Sequence, residues 1–321
     1  MKEDDLLFVN EVYESIWKDR YQKNGESYND QLWRVADFIA TAEGDWNAPK
    51  WADKFFSIMK EGYFFPAGRT MSNAGIGEKL TLNNCFVAPI VGNSMEQIFD
   101  AVKLGAMTHK AGGGIGYAFS NLAPNGYRTR NDAIASGPVS FMDVFNAQTA
   151  TVQQGSRRGA NMGMLSVYHP DILEFIHAKS ATEGRLNHFN LSVVVDDAFM
   201  NLVIDNGQVK LHWPIYDEKG NKLPPDKWDK QFTKLVPARD IWNEIMQMAY
   251  DNGEPGVFYE DNANNRNPAW YVERIVCSNP CAEYLAGTIN ATDPSQYGGA
   301  CNLGSLFLHN FVKKPFTKQA H

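Results

Sequence analysis

Through most of this chain, short apolar or β-branched runs alternate with stretches whose apolar residues recur at helical spacing, and no other feature constrains the fold as much. The runs are the apolar second half of Thr81–Ile90, Met164-Leu165-Ser166-Val167, Leu191-Ser192-Val193-Val194-Val195 and Gly256-Val257-Phe258-Tyr259. Between them lie helical patterns such as Phe141, Val144, Phe145, Gln148 and Val152, or Ile241, Trp242, Ile245, Met248 and Ala249. Strands separated by helices indicate an α/β fold with parallel pairing. The opening stretch differs: Leu6–Trp17, Gln31–Thr41 and Trp51–Lys60 each place their apolar residues on one helical face. Residues 1–63 therefore read as a helical layer and 64–321 as the α/β part.

Three of the four cysteines lie near the C-terminal end, in Cys277-Ser278-Asn279-Pro280-Cys281-Ala282-Glu283 and Cys301-Asn302-Leu303-Gly304-Ser305. In an extended backbone Asn279, Cys281 and Glu283 project to one side, placing a thiol between an amide and a carboxylate. Pro280 lacks the N–H that a central strand needs, so the segment reads as an exposed finger or loop. Structural zinc wants four ligands in short-spaced pairs, and no second such pair exists, so no metal site is expected. For Cys277, and for Cys85 taken alone, burial as a small hydrophobe is the plain reading.

Other segments carry local signals. Ser94 and Gln97 form a capping box ahead of a helix through Ile98 and Val102. The run Gly112-Gly113-Gly114-Ile115-Gly116 lacks the strand-before, helix-after context of a dinucleotide site, and instead permits close backbone approach. A polar loop over 121–131 offers Arg128 and Arg130, and a glycine-flanked one over 153–161 offers Arg157 and Arg158. Residues 210–222 read as an inserted β-excursion with no visible chemistry. With 321 residues, 44% of them hydrophobic, and a net charge of −7, the chain can bury a large core or two, and carries no basic coat for nucleic acid. No apolar run reaches membrane-span length, and the first residues are no signal peptide. Four scattered cysteines point to a reducing cytoplasm rather than a disulfide scaffold.

Taken together, Ser278-Asn279-Pro280-Cys281-Ala282-Glu283 and Cys301-Asn302-Leu303-Gly304-Ser305 resemble the catalytic motifs of the large subunit of ribonucleotide reductases. Asn84-Cys85-Phe86-Val87, residues 112–117, Ala135-Ser136-Gly137-Pro138, Arg157-Arg158-Gly159-Ala160 and His169-Pro170-Asp171-Ile172 continue the series in the family's order. The N-P-C-x-E form is most similar to the class II, adenosylcobalamin-dependent branch.

The resemblance implies the first half of a ten-stranded α/β barrel that reduces ribonucleotides by a thiyl-radical mechanism. Cys281 would abstract the 3′-hydrogen, Glu283 take the 3′-OH proton, Asn279 hold the hydroxyls, and Cys85 and Cys301 become a disulfide. It gives Cys277 no role. Substrate would lie against Asn84, Gly113, Gly114 and Asn279, and a deoxynucleotide effector against Asn93, Arg128, Arg130, Arg157 and Arg158, although Ala123 stands where related sequences usually have arginine. A thioredoxin-like reductant, a homodimeric partner and a complementary C-terminal half complete the expected assembly, and a lone half is expected to be inactive. No ATP-cone is expected in the helical layer. Two alternatives stay open: a noncatalytic nucleotide-binding or complementation module, and a class I large subunit.

Overall fold

A computed structural model describes residues 11–77, 80–129, 132–152, 159–180, 185–217, 220–286, 289–290 and 298–319. In chain order the elements are α1 (Glu11–Arg20), α2 (Tyr28–Ala40), α3 (Ala48–Lys60), β1 (Phe64–Pro66), α4 (Gly68–Asn73), β2 (Cys85–Val87), α5 (Met95–Ala111), β3 (Gly114–Ala118), α6 (Pro138–Thr151), β4 (Asn161–Ser166), α7 (Ile172–Ile176) and β5 (Phe189–Val195). They continue with α8 (Asp197–Ile204), β6 (Gln208–Leu211), β7 (Lys234–Pro237), α9 (Ala238–Asn252), β8 (Gly256–Tyr259), α10 (Glu260–Asn265), β9 (Glu273–Arg274), β10 (Ile289–Asn290), β11 (Gly299–Cys301) and β12 (Gly304–Leu306). Two compact units result: Met1–Asn84 with Cys301–His321, and Cys85–Ala300.

The first unit is the helical one. Ser27 and Asp30 open α2 with a reciprocal capping box, each side chain accepting the other's backbone N–H. The face thus set buries Leu32, Val35 and Ala36 against Met59, Met71 and Ala74. Gln31 is fully buried and satisfied, accepting from the Trp17 indole at 2.7 Å and donating to the Met71 carbonyl at 3.0 Å. In the same unit β1 pairs antiparallel with β12, a pairing the sequence pattern does not show.

The second unit is built on a six-stranded sheet in the order β11-β2-β3-β4-β5-β8. From β2 to β8 every pairing is parallel, with Cys85 opposite Gly114, Ile115 opposite Asn161, Met162 opposite Asn190 and Val193 opposite Val257. Each parallel step needs a crossover, and crossovers have one hand. A sheet whose strands follow in sequence order therefore collects its helices on one face. Ile115, Tyr117, Phe119, Leu165, Phe189, Leu191 and Val193 line that face and pack on α5, α6, α7, α8 and α9. The expected caps are present: Ser94 with Gln97 starts α5, and Gly112 at φ +95° ends it.

At the C-terminal ends of β5 and β8, charged groups cluster. Lys222 Nζ lies 2.6 Å from Asp196 and 3.0 Å from Glu260, whose other oxygen takes Arg274 at 2.8 Å. Tyr168 donates to Asp196 at 2.7 Å. The β-excursion therefore has a structural duty: it delivers the cation that balances two enclosed carboxylates. Burial raises the Asp196 pKa, but the Lys222 ammonium, the Phe199 N–H and Tyr168 together carry it below the usual range. Lys222→Met is expected to cost roughly 2 kcal/mol at neutral pH by urea unfolding, less than the roughly 3–5 kcal/mol of a fully enclosed pair because Lys222 is partly exposed and Arg274 remains. A carboxylate with a depressed pKa stabilises the fold above its unfolded pKa and loses that effect as pH falls through the folded value. The difference between variant and parent should therefore shrink in acid.

Candidate active site

Alternation decides what lies on the sheet face opposite the helices. Cys85 and Val87 of β2, Gly114, Gly116 and Ala118 of β3, Met162 and Met164 of β4, and Asn190, Ser192 and Val194 of β5 share that face. It would be exposed, yet Ile275, Val276 and Cys277 are buried against Val87, Ala118, Met162, Met164 and Val194. The thiol-bearing segment is the layer that covers it. The close approach is possible only because β3 carries glycine at alternate positions. A Cβ on Gly116 would sit 1.8 Å from the Ser278 carbonyl oxygen, and one on Gly114 would sit 3.0 Å from Pro280 Cγ. The glycine run is thus a groove for the finger. Gly113 faces the Phe86 ring and Thr108 instead, where a Cβ would clash at 2.4 Å.

The finger does not stay extended, as alternation alone had it. Its chain turns at Asn279-Pro280-Cys281-Ala282, where the Ala282 N–H donates to the Asn279 carbonyl at 3.0 Å and Ala282 takes φ +62°. Proline's fixed φ suits the second position of such a turn, the place Pro280 occupies. Asn279 consequently points inward and is fully buried, while Cys281 and Glu283 stand exposed beyond the turn. Three further bonds hold the turn. The Asn279 Oδ1 accepts the Tyr284 N–H at 2.8 Å, Ser278 Oγ donates to the Tyr284 carbonyl at 3.0 Å, and Asn190 Nδ2 donates to the Pro280 carbonyl at 2.6 Å. The Asn279 Nδ2 is left buried with no hydrogen-bond partner among the described residues.

The two finger thiols differ in kind. Cys277 is completely enclosed, its S–H donating to the Ser278 carbonyl at 3.4 Å, and burial pushes its thiol far up. Cys281 is exposed, and its pKa is also raised, first by partial burial and then by the neighbouring Glu283 and Cys85. The Glu283 carboxylate and the Cys85 sulfur lie within 4.8 Å of each other. Cys85 opens β2 and is buried, and Cys301 ends β11 and is buried. Asn84 donates its N–H to the Cys301 carbonyl at 3.0 Å, and its Oδ1 is buried without a partner among the described residues. No disulfide joins the four cysteines.

The expected effector residues are more scattered. Asn93 Oδ1 accepts the Ala123 N–H at 2.7 Å and so fixes the start of the polar loop. Arg128 projects from a hairpin closed by Ala135, 3.7 Å from Asp132 and largely exposed. Arg130, Arg157 and Arg158 lie outside the described residues. Behind the loop, Asp171 Oδ2 accepts the Asn125 N–H at 2.8 Å, and burial lifts its pKa to about 6. His169 is fully buried, donating from Nε2 to the Leu122 carbonyl and accepting the Asp171 N–H at Nδ1, with its pKa lowered by burial to about 4. The His169-Pro170-Asp171 motif therefore anchors that loop rather than facing the thiols.

Sequence reasoning missed one buried hub and one polar contact. His109 bonds the Gly113 carbonyl at 3.0 Å through Nδ1, while its Nε2 lies 3.0 Å from the Asn161 amide and 3.2 Å from Thr149 Oγ. Nothing local marks His109, because both side-chain partners, Thr149 and Asn161, come from α6 and β4. Asn190 did leave a signal, as the polar residue directly ahead of the apolar run 191–195.

Comparison with known proteins agrees with this arrangement. The profile of the ribonucleotide reductase barrel domain matches residues 83–321, and that of the ribonucleotide reductase all-alpha domain matches residues 8–79. A protein of Thermoplasma acidophilum named vitamin B12-dependent ribonucleoside-diphosphate reductase is 38% identical over 280 residues, which cover 86% of this chain and 33% of that protein. One of the same name from Mycobacterium tuberculosis is 35% identical over 295 residues, 90% of this chain and 39% of the relative. The ribonucleoside-diphosphate reductase large subunit of Vaccinia virus is 27% identical over 274 residues, 80% of this chain and 34% of that protein. The chain thus spans about a third of the length of the curated relatives it matches. With both domain profiles matched in order, and the thiol finger seated on the glycine groove of a partial barrel, the chain belongs to the large-subunit family of ribonucleotide reductases.

Proposed function

We propose that this chain supplies the thiol-bearing part of an adenosylcobalamin-dependent ribonucleotide reductase acting on ribonucleoside diphosphates. The observation that carries the reading is the state of Cys281, an exposed thiol whose pKa is raised rather than depressed. Cysteines that act as nucleophiles or metal ligands work as thiolates and are tuned downward. A thiol that trades a hydrogen atom must keep its S–H, and this environment favours that form.

Replacing the ribose 2′-OH breaks a strong bond at an unactivated carbon, beyond the roughly 10²–10⁴-fold that proton transfer contributes. Adenosylcobalamin, when bound, supplies the one-electron chemistry that the side chains lack. The residues present fit it, because Cys281 is both accessible and protonated. In this reading the Cys281 sulfur radical takes the 3′-hydrogen and later returns it. Glu283 accepts the 3′-OH proton, and Asn279 takes the substrate hydroxyls, as its place in the finger motif implies. The 2′-OH leaves as water, while Cys85 and Cys301 give up two electrons and two protons to become a disulfide. A thioredoxin-like dithiol then resets that bond by exchange.

Asn84, Gly113 and Gly114 complete the substrate set, with the glycines contributing backbone, since their side-chain positions are filled by Phe86 and Pro280. Asn93, Arg128, Arg130, Arg157 and Arg158 bind a deoxynucleotide effector whose coupling to substrate choice works in both directions. Exposed Phe99 and Met107 on α5 support a homodimeric contact there. The names of the Thermoplasma acidophilum and Mycobacterium tuberculosis relatives support the cobalamin branch, as does the N-P-C-x-E form of the finger.

The test is reconstitution with the C-terminal half of a related reductase, followed by a ribonucleotide assay. Reduction of diphosphates that requires adenosylcobalamin is the expected result. Turnover driven by a radical-generating small subunit instead would move the chain to class I. Nucleotide binding without turnover under either condition would favour the noncatalytic complementation module.

A further inference from the structure

We propose that Asn190 is a positioning residue for the Cys281 thiol, acting through the backbone of Pro280. Asn190 is the second residue of β5, where Phe189, Leu191, Val193 and Val195 turn toward the helices and Asn190 turns toward the finger. It is the one exposed position in a strand otherwise buried from end to end. Its Nδ2 donates to the Pro280 carbonyl at 2.6 Å, across 90 residues of sequence. A carbonyl oxygen only accepts, so the amide's orientation is settled by its partner.

The placement is specific. Pro280 lies over Gly114, whose missing side chain leaves room for the proline ring, since a Cβ there would fall 3.0 Å from Pro280 Cγ. Its carbonyl, held by Asn190, belongs to the peptide bond that leads into Cys281. The turn's other bonds, from Ser278, Asn279 and Tyr284, all lie within the finger itself. Among the described residues Asn190 is therefore the side chain that ties the turn's apex to the rigid sheet. A group built on a strand and bonded to the residue before a reactive atom fixes that atom more precisely than a loop can.

The inference rests on Cys281 as the working thiol, yet its test reads that thiol directly and needs neither cobalamin nor substrate. The chain is treated with iodoacetamide at neutral pH, and the alkylation rate of each cysteine is followed by peptide mass spectrometry. In Asn190→Ala, and in the nearly isosteric and uncharged Asn190→Leu, which keeps the volume but loses the donor, Cys281 should react about three- to tenfold faster as the turn loosens and the thiol becomes more accessible. Cys277, enclosed beneath the finger, should keep its parental rate, and the thermal midpoint should move little. A Cys281 rate within twofold of the parent in both variants would overturn the proposal. So would an Asn190→Leu variant that matches the parent while Asn190→Ala does not, since packing rather than the hydrogen bond would then be responsible. Parallel acceleration of Cys277 would also overturn it, because the effect would be general loosening. A failed reconstitution of nucleotide reduction would count against the functional reading alone.

Discussion

Cys281→Ser is expected to bring nucleotide reduction by the reconstituted enzyme down to background while leaving folding and nucleotide binding close to parental. Serine nearly preserves the volume but replaces a weak S–H bond with a strong O–H bond, so no comparable radical forms there. The residue stands exposed beyond the turn and makes no contribution to the buried finger, so little stability should be lost. Thermal melts and nucleotide titrations of the same preparation separate loss of chemistry from loss of fold. Cys277→Ser is the contrasting case. It should retain turnover, but at a cost of about 1–3 kcal/mol, because it places a hydroxyl where an enclosed sulfur sits among Val276, Met164 and Ala118. Retained reduction in Cys281→Ser would remove the thiyl mechanism, and loss of turnover confined to a folded Cys277→Ser would identify the other thiol as the working one.

Gly116→Ala should be the most damaging single-methyl change in the second unit. Its Cβ would fall 1.8 Å from the Ser278 carbonyl oxygen and 3.3 Å from the Asn279 Cα, and both are backbone atoms that cannot rotate away. Either the finger lifts from the sheet or β3 shifts, and overpacking of this kind costs about 1–3 kcal/mol or more. Displacing a reacting group by about an ångström costs about 10²-fold in rate, so reconstituted turnover should fall at least that far. Gly114→Ala, which meets Pro280 Cγ at 3.0 Å and the Ala160 carbonyl at 3.2 Å, should be clearly milder in both stability and rate. Equal effects at the two positions, or the reverse order, would mean that the glycine groove does not seat the finger.

Several parts of this protein were legible in its residues alone because the governing interactions are local. The helices of the first layer, the Ser94–Gln97 cap and the strand runs follow from periodicity and from hydrogen bonds that close within four residues. The family resemblance rested on motifs read as strings, and the domain profiles agree with it. Pro280 likewise excluded a central strand from its own chemistry, whatever surrounded it.

What sequence could not decide depended on partners far away in the chain. Alternation placed Asn279 beside Cys281, whereas the turn across Pro280 and Cys281, closed by the Ala282 N–H on the Asn279 carbonyl, sends the amide inward and the thiol outward. The glycines of β3 read as permitting close backbone approach, and only the packed structure shows that residues 278–280 are what approaches them. The Lys222 balance of Asp196 and Glu260, and the grip of Asn190 on Pro280, both join segments tens of residues apart. Residue types and spacings determine which groups a chain brings to its chemistry. Which of them meet, and in what protonation state, is set by the burial and charge that tertiary packing alone creates.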